Sequence, residues 1–384
     1  GQRRPLVREK RHPRMIRLLI SDDSAFMRIA IRKMVESEPD IEVVGEAKTG
    51  QMCVELAREL RPDVITMDVE MPVMDGLEAT RQIMAATPCP IIMLSSLTER
   101  NSVTTIRALE LGAVDFIAKK SSFVQLDIVQ IGADLVEKLR YWAKKKSRIS
   151  TLRSTSPSSS TPSPAMFAGG APAVDRQLRT VPNGPGAGLV VLGISTGGPA
   201  TLPMVLKSMG RLSCPMVVAQ HMPPMFTSGF ASHLRSETGL DVIESTDQME
   251  LKPGMVVIVK GGTDVVVREP FPGKLMLYQK TDPNAGIHPN ADVLFRSAAA
   301  ASCPVIAVVM TGMGSDGMLG AKDLVARKNA HVIAQDPDSC IVDGMPSSTI
   351  NAGLASAVLA PTEIGTRLSR LCVNRTISSF KTAV

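Results

Sequence analysis

Both halves of this chain are predicted to be α/β. Three observations carry that reading: short β-rich runs alternate with helix-length amphipathic segments through the first half, the alternation returns after residue 188, and a Ser/Pro/Gly-rich stretch separates the two. Strand and helix in strict alternation imply a parallel sheet covered on both faces. With 384 residues, 44% of them hydrophobic, the chain can bury more than one core.

In the first half the strand candidates are "MIRLLIS", "IEVVGEA", "PDVITMDV", "PIIMLSS" and "AVDFIAK", with amphipathic segments such as Ala25 to Glu36 and Gln51 to Leu60 between them. From about Ile149 to Gly188 there is no sustained apolar period. A segment of that composition cannot bury enough surface to offset its ordering entropy and is read as a linker. In the second half "GLVVLGIS", "PMVVAQH", "PVIAVVMTG" and "AHVIAQD" read as buried strands, and Ala200 to Met209, Asp292 to Ala301 and Gly317 to Ala326 as helices. The stretch "PGMVVIVKGGTDVVVREPFPGKLMLYQK" alternates more tightly and carries Gly-Gly and Pro-Gly turns, so an antiparallel hairpin is expected there. The expected organisation is a basic disordered tail over 1–14, a first domain over 15–145, a flexible linker over 146–187 and a second domain over 188–380.

Composition excludes several classes. The net charge of +6 resides largely in "GQRRPLVREKRHPR" and in "KKKSR", runs that read as a solvated tail and a linker edge. One Trp, two Tyr and nine Phe leave little surface for stacking bases, so nucleic-acid binding is not expected. Six scattered cysteines, without a CxxC pair or dense spacing, fit a reducing compartment. No apolar run is long enough for a membrane span or a secretory signal. The expectation is a soluble, cytoplasmic monomer that does not insert into membranes.

Open α/β sheets place their sites at the carboxyl ends of the strands. In the first half the first strand ends at Asp22 and Asp23, the third at Asp68 and the fourth at Ser95, with Lys119 closing the fifth. Carboxylates that converge repel one another unless a cation lies between them, and hard oxygen ligands suit Mg²⁺. Paired acids alone are a weak signal, because Asp is also a common helix N-cap and "DDS" precedes a helix.

The full set, "SDDSAFMR", "MDVEMPVMDG", Ser95-Ser96 and "GAVDFIAK", resembles the receiver domain of two-component response regulators from about Met15 to Tyr141. The resemblance implies a flavodoxin-like domain with a five-stranded parallel sheet. It also implies that Asp68 accepts a phosphoryl group from a histidine kinase, and that Asp22, Asp23, Asp68 and the Glu70 main-chain carbonyl hold Mg²⁺. Ser95, Phe116 and Lys119 would be the switch residues: Ser95 bonds the phosphoryl group, Phe116 repacks and Lys119 offsets charge. Where the family usually has Lys-Pro, this chain has Lys119-Lys120.

In the second half "GISTGG" has the G-x-S-x-G spacing of a nucleophile elbow, with Ser195 at its centre. On this motif alone, a phosphate-binding or purely structural turn stands beside the nucleophile. A nucleophilic serine needs a base and an orienting acid. Of the five histidines, His12 lies in the basic tail, His233 falls within a helix candidate, and His331 opens a strand at the opposite edge from Ser195. His221 follows the strand "PMVVAQ" at the correct edge, while His288, in a loop, remains a competitor. Asp316, in "VVMTGMGSDGMLG", stands where a helix begins and reads either as the orienting acid or as an N-cap.

The four segments "GISTGGPATL", "QHMPPMFTSGFASHL", "GIHPNADVLFRSAA" and "MTGMGSDGMLGAKDL" resemble, in order, the catalytic domain of chemotaxis protein-glutamate methylesterases, the CheB family, over roughly Leu189 to Ala360. The resemblance implies a serine esterase without a cofactor at the esterase site. Ser195, His221 and Asp316 would be catalytic, and Thr196 with the main chain near Met313 would support the oxyanion. Its substrates would be methylated glutamates, and glutamine amides, on the cytoplasmic helices of chemoreceptors. A receiver ahead of such a domain implies control by phosphorylation, the resting receiver covering the Ser195 cleft. Two readings from other classes stand beside this one. One is a phosphate- or nucleotide-binding module using "STGGPA" and "TGMGSDG" as anion loops; the other is a docking protein with a decayed triad.

Overall fold

The structure, a computed structural model, describes residues 15–96, 99–119, 125–152, 178–180, 186–280 and 287–372. They form two compact units, each built on its own sheet system.

The first unit carries β1 (Ile16–Ser21), α1 (Ala25–Glu36), β2 (Ile41–Ala47), α2 (Gly50–Leu60), β3 (Val64–Asp68), α3 (Gly76–Ala86), β4 (Ile91–Ser96), β5 (Asp115–Lys119) and α5 (Gln125–Leu152), with α4 (Glu99–Glu110) lying between β4 and β5 in the chain. Its sheet has the order β2-β1-β3-β4-β5, and every pair is parallel. The chain winds one way to β2 and the other way from β3, so the switch point lies between the carboxyl ends of β1 and β3. Register pairs Ser21 with Met67, which sets Asp22 beside Asp68. Helix starts follow local chemistry: Ser24, Thr49 and Asp75 each accept a main-chain N–H of the first turn of α1, α2 and α3. Trp142 on α5 is fully buried among the core side chains.

The second unit continues with β6 (Leu189–Ile194), α6 (Gly198–Met209), β7 (Met216–Gln220), α7 (Pro224–Thr238), β8 (Asp241–Glu244), β9 (Met249–Glu250), β10 (Met255–Ile258), β11 (Asp264–Phe271) and β12 (Lys274–Lys280). It closes with α8 (Ala291–Ala298), β13 (Val305–Val309), α9 (Met318–Lys328), β14 (His331–Gln335), α10 (Gly344–Asn351), β15 (Ala357–Leu359) and α11 (Pro361–Leu371). Seven strands in the order β15-β14-β13-β6-β7-β10-β8 make a parallel sheet, and β11-β12-β9 a small antiparallel one. The central strands β6, β7 and β13 are buried at every position, as two covered faces require.

The described residues refine the expectations at three places. Helix α5 runs past the expected domain boundary at 145 to Leu152, and "KKKSRISTL" holds neither Pro nor Gly that would end it sooner. Arg179, inside the predicted linker, is docked on the second unit: its N–H donates to the Ala355 carbonyl at 3.0 Å and its guanidinium to those of Ala330 and Leu354. The expected hairpin covers only β11 and β12, turning at Pro272-Gly273. The preceding β10 is a buried parallel strand between β7 and β8, and the Gly261-Gly262 turn passes the chain from one sheet to the other. The tail over 1–14, most of the linker, Lys120 and residues 373–380 lie outside the described residues.

Candidate active site and receiver cluster

At the carboxyl edge of the large sheet, register pairs Ile194 of β6 with Gln220 of β7, and Val309 of β13 with Gly193 of β6. Ser195 and His221 are therefore the next residues on neighbouring strands, and the His221 N–H donates to the Ile194 carbonyl at 3.0 Å. On the other flank the Ser195 N–H donates to the Thr311 carbonyl at 2.9 Å. A Cβ placed on Gly312 would lie 2.7 Å from that of Ser195, so only glycine lets this loop pass so close.

The structure brings His221 and Asp316 into direct contact, Nε2 to Oδ2 at 2.7 Å. The Asp316 carboxylate also accepts the N–H groups of Ala291 (2.7 Å), Asp292 (2.9 Å) and Gly317 (2.9 Å). Burial pushes its pKa up, but the bond and charge of His221 and the amides of Ala291 and Asp292 outweigh this and hold it below the usual carboxylate range. With Nε2 donating to this anion, Nδ1 carries the lone pair, the arrangement that readies an imidazole to take a proton. Among the described residues the Ser195 hydroxyl makes no hydrogen bond to His221. Thr196 follows Ser195 with its carbonyl held by Thr311 Oγ1 at 2.9 Å, and Met313 is half-buried in the loop leading to Asp316.

His288 is not part of this contact. Its Nδ1 bonds Asp264 Oδ2 at 2.8 Å, and the other oxygen of that buried carboxylate accepts the Asn290 N–H at 2.8 Å. His233 lies on α7 and His331 opens β14. Sequence reasoning missed the amides of Ala291 and Asp292, because nothing in a main-chain N–H is written in residue type. It also missed three buried polar side chains below the site, Gln220, Thr311 and Gln335. A polar residue ending an otherwise apolar buried strand, as in "MVVAQ", was the available signal.

In the first unit Lys119 reaches across the sheet edge, with Nζ 2.8 Å from Asp22 Oδ2 and 2.8 Å from Asp68 Oδ1. Oxygens of Asp22, Asp23 and Asp68 all lie within 4.8 Å of one another. Burial, with the Asp22 charge adding to it and Lys119 opposing, pushes the Asp68 carboxyl up to about 6. Glu70 is exposed two residues beyond β3, Ser95 is buried at the end of β4, and Phe116 is half-buried on β5.

Fold and site together define a class: a receiver-type sheet with an acidic pocket, carried on the same chain as an α/β unit whose strand ends pair a histidine with a carboxylate beside a serine. Comparison with known proteins narrows it. The family model described as CheB methylesterase matches residues 190–368, and that of the response regulator receiver domain matches residues 18–129. The protein-glutamate methylesterase/protein-glutamine glutaminase of Thermotoga maritima is 40% identical over 360 residues, 93% of this chain and 99% of that one. Its counterpart in Bacillus subtilis is 38% identical over 367 residues, 94% of this chain and 99% of that one. Among solved structures, the Thermotoga maritima CheB methylesterase catalytic domain covers 48% of this chain at 37% identity and a TM-score of 0.46, 98% of that domain being matched. The chain belongs to the CheB family of protein-glutamate methylesterases/protein-glutamine glutaminases that carry a receiver domain.

Proposed function

We propose that this chain removes methyl groups from glutamate methyl esters, and deamidates glutamines, on the cytoplasmic helices of chemoreceptors, and that phosphorylation of its receiver by a histidine kinase raises this activity. The observation that carries the reading is the 2.7 Å bond between His221 and Asp316 at strand ends flanking that of Ser195. In this reading Ser195 Oγ attacks the side-chain carbonyl while His221 Nδ1 takes its proton. Asp316 keeps the ring oriented and balances its charge. The tetrahedral oxyanion is met by N–H groups of the Thr196 and Met313 segments, a contribution of about 3 kcal/mol per donor in related chemistry. His221 returns the proton to the leaving methanol, or to ammonia from an amide. Water then opens the acyl-enzyme by the same route in reverse.

In the receiver, Asp68 is the phosphoryl acceptor, Lys119 offsets charge, and Ser95 and Phe116 carry the change to the rest of the domain. Asp22, Asp23, Asp68 and the Glu70 carbonyl would hold Mg²⁺. The donor set fits that ion, since hard carboxylate oxygens converge within 4.8 Å. When bound, the ion supplies positive charge against the phosphoryl oxygens.

The test is methanol release from methylated receptor by the full chain, with and without a small phosphodonor. The expected result is turnover that rises with phosphodonor, is lost in Ser195→Ala and no longer responds in Asp68→Asn. Retained turnover in Ser195→Ala overturns the esterase assignment; an equal response in Asp68→Asn overturns the regulatory one.

A further inference from the structure

Helix α8 begins beside the carboxylate that holds His221, and every N–H of its start has a partner. The first N–H groups of a helix find no acceptor inside it, so each must be met from outside. Asp316 takes two of them, those of Ala291 and Asp292. The Asn290 side chain takes that of Val293 at 2.9 Å. The N–H of Asn290 itself goes to Asp264 Oδ1 at 2.8 Å. Asp264 opens β11 in the antiparallel sheet and is 1% exposed, so its carboxylate relies on protein donors rather than water.

The second oxygen of Asp264 accepts His288 Nδ1 at 2.8 Å, and the Gly262 N–H donates to the His288 carbonyl at 3.4 Å. The Gly261-Gly262 turn and Asp264 thus grip the segment that leads into α8. The same turn lies against the chain just past the base: a Cβ on Gly261 would come within 2.3 Å of the Met222 carbonyl. Its position is fixed in turn by the buried Thr227 hydroxyl, which accepts the Gly261 N–H at 3.1 Å and donates to Glu244 Oε1 at 2.6 Å. One turn therefore touches the residue after His221 and, through Asp264, reaches the amides that hold Asp316.

We propose that Asp264 is a positioning residue for the esterase reaction: by fixing His288 and Asn290 it aims the Ala291 and Asp292 N–H groups at Asp316, and so sets the geometry of the His221–Asp316 bond. The inference rests on the function proposed above, in which that bond orients the base. A buried aspartate at a helix start commonly does no more than hold the fold together. Here the link to the site is one residue long. Asn290 is held in an extended conformation, φ −107° and ψ 123°, by the bond from its N–H to Asp264 and the bond from Val293 to its side chain. The peptide plane that follows is set by this ψ, and it carries the Ala291 N–H that meets the same Asp316 oxygen as the His221 ring. Release of Asn290 lets that plane turn, and Asp316 loses the donors that hold it against His221.

The test uses the full-length chain and two readouts: kcat and KM for methanol release from methylated receptor, and the NMR signal of the His221 ring proton shared with Asp316, assigned by its absence from His221→Gln. In Asp264→Ala, kcat is expected to fall about ten-fold with KM nearly unchanged, and the ring proton to exchange faster with water. Asp264→Asn is expected to restore both. Its amide oxygen keeps the Asn290 N–H, and its NH₂ meets His288 Nδ1 once that ring takes the other tautomer. Wild-type kcat in Asp264→Ala, or an equal loss in Asp264→Asn, overturns the proposal. Should Asp264→Ala fail to fold, His288→Ala decides, because it leaves the acceptor of the Asn290 N–H in place. It is expected to lower kcat about three-fold and to speed exchange of the ring proton; wild-type values of both overturn the proposal. A wild type that shows the ring proton, loses its protection in Asp264→Ala and releases no methanol upholds the role of Asp264 at this bond and overturns the esterase reading instead.

Discussion

Gln220 holds Ser195 by its main chain: the Gln220 Nε2 donates to the Ser195 carbonyl at 3.0 Å and to the His221 carbonyl at 3.2 Å. One amide thus ties together the strand ends that carry the proposed nucleophile and base. Both neighbours are carbonyls, so the atom facing them is the nitrogen. The Oε1 is left buried, without a hydrogen-bond partner among the described residues, where a Cβ on Gly198 would come within 1.9 Å. A buried orphan acceptor costs about 1–3 kcal/mol, so the side chain is retained for its two donor bonds. Gln220→Leu is therefore expected to lower kcat for methyl-ester hydrolysis about ten-fold with KM nearly unchanged, the loss expected when geometry slips at the reacting centre. Steady-state kinetics check this; a change confined to KM would count against it.

Asp316 offers its two oxygens to four donors: the His221 ring and the N–H groups of Ala291, Asp292 and Gly317. An asparagine has one acceptor oxygen, so in Asp316→Asn an NH₂ group must face a donor. The imidazole is then pushed into the other tautomer or released. The expected loss in kcat is about 10³-fold or more, as for an orienting acid in serine hydrolases. Measuring kcat against folding by circular dichroism separates the chemical defect from misfolding.

How much of this was legible follows from the size of each signal. The strands of the first unit and β6, β7, β13 and β14 are apolar runs long enough to read, and the residues that end them, Asp68, Ser195 and His221, are placed by register alone. Strands β8, β9 and β15 span four, two and three residues and carry no period. Their pairing is fixed by the sheet they join rather than by themselves. Strand β10 was drawn into the hairpin because Gly261-Gly262 looks like a hairpin turn, although its buried residues Val256, Val257 and Ile258 match an interior parallel strand. The exclusion of His288 needed Asp264, twenty-four residues away, and no local pattern joins them.

Lys119 is the cation that balances Asp22 and Asp68, and Asp22 is fully buried. Removing it leaves carboxylates facing one another, a change that typically costs about 3–5 kcal/mol. Lys119→Met should accordingly melt at a lower temperature than wild type. Added Mg²⁺ should raise the melting temperature of both, and more in the variant, where the acids lack their ammonium partner. Asp22→Asn and Asp68→Asn should each blunt the Mg²⁺ response. Thermal melts over a Mg²⁺ series decide it, and an identical response in all four proteins would remove the ion from this cluster.

His331, which opens β14 at the edge of the large sheet opposite Ser195, supplies a pH test away from the esterase site. Burial, and then the charges of Arg367 and Arg179, hold its imidazole below the ordinary value of 6.5, so the folded chain resists a proton that the unfolded chain accepts. Stability from this group is full above the unfolded value and falls away as pH drops through the folded one. His331→Gln removes the titration while keeping a polar side chain. The prediction is that wild type loses more stability than His331→Gln between about pH 7.5 and about pH 5.5, a window that spans the imidazole range. Urea midpoints at the two pH values check it. The difference between the proteins isolates this histidine from His221, His233 and His288, which both share, and equal losses would mean that Arg179 and Arg367 do not disfavour its protonation.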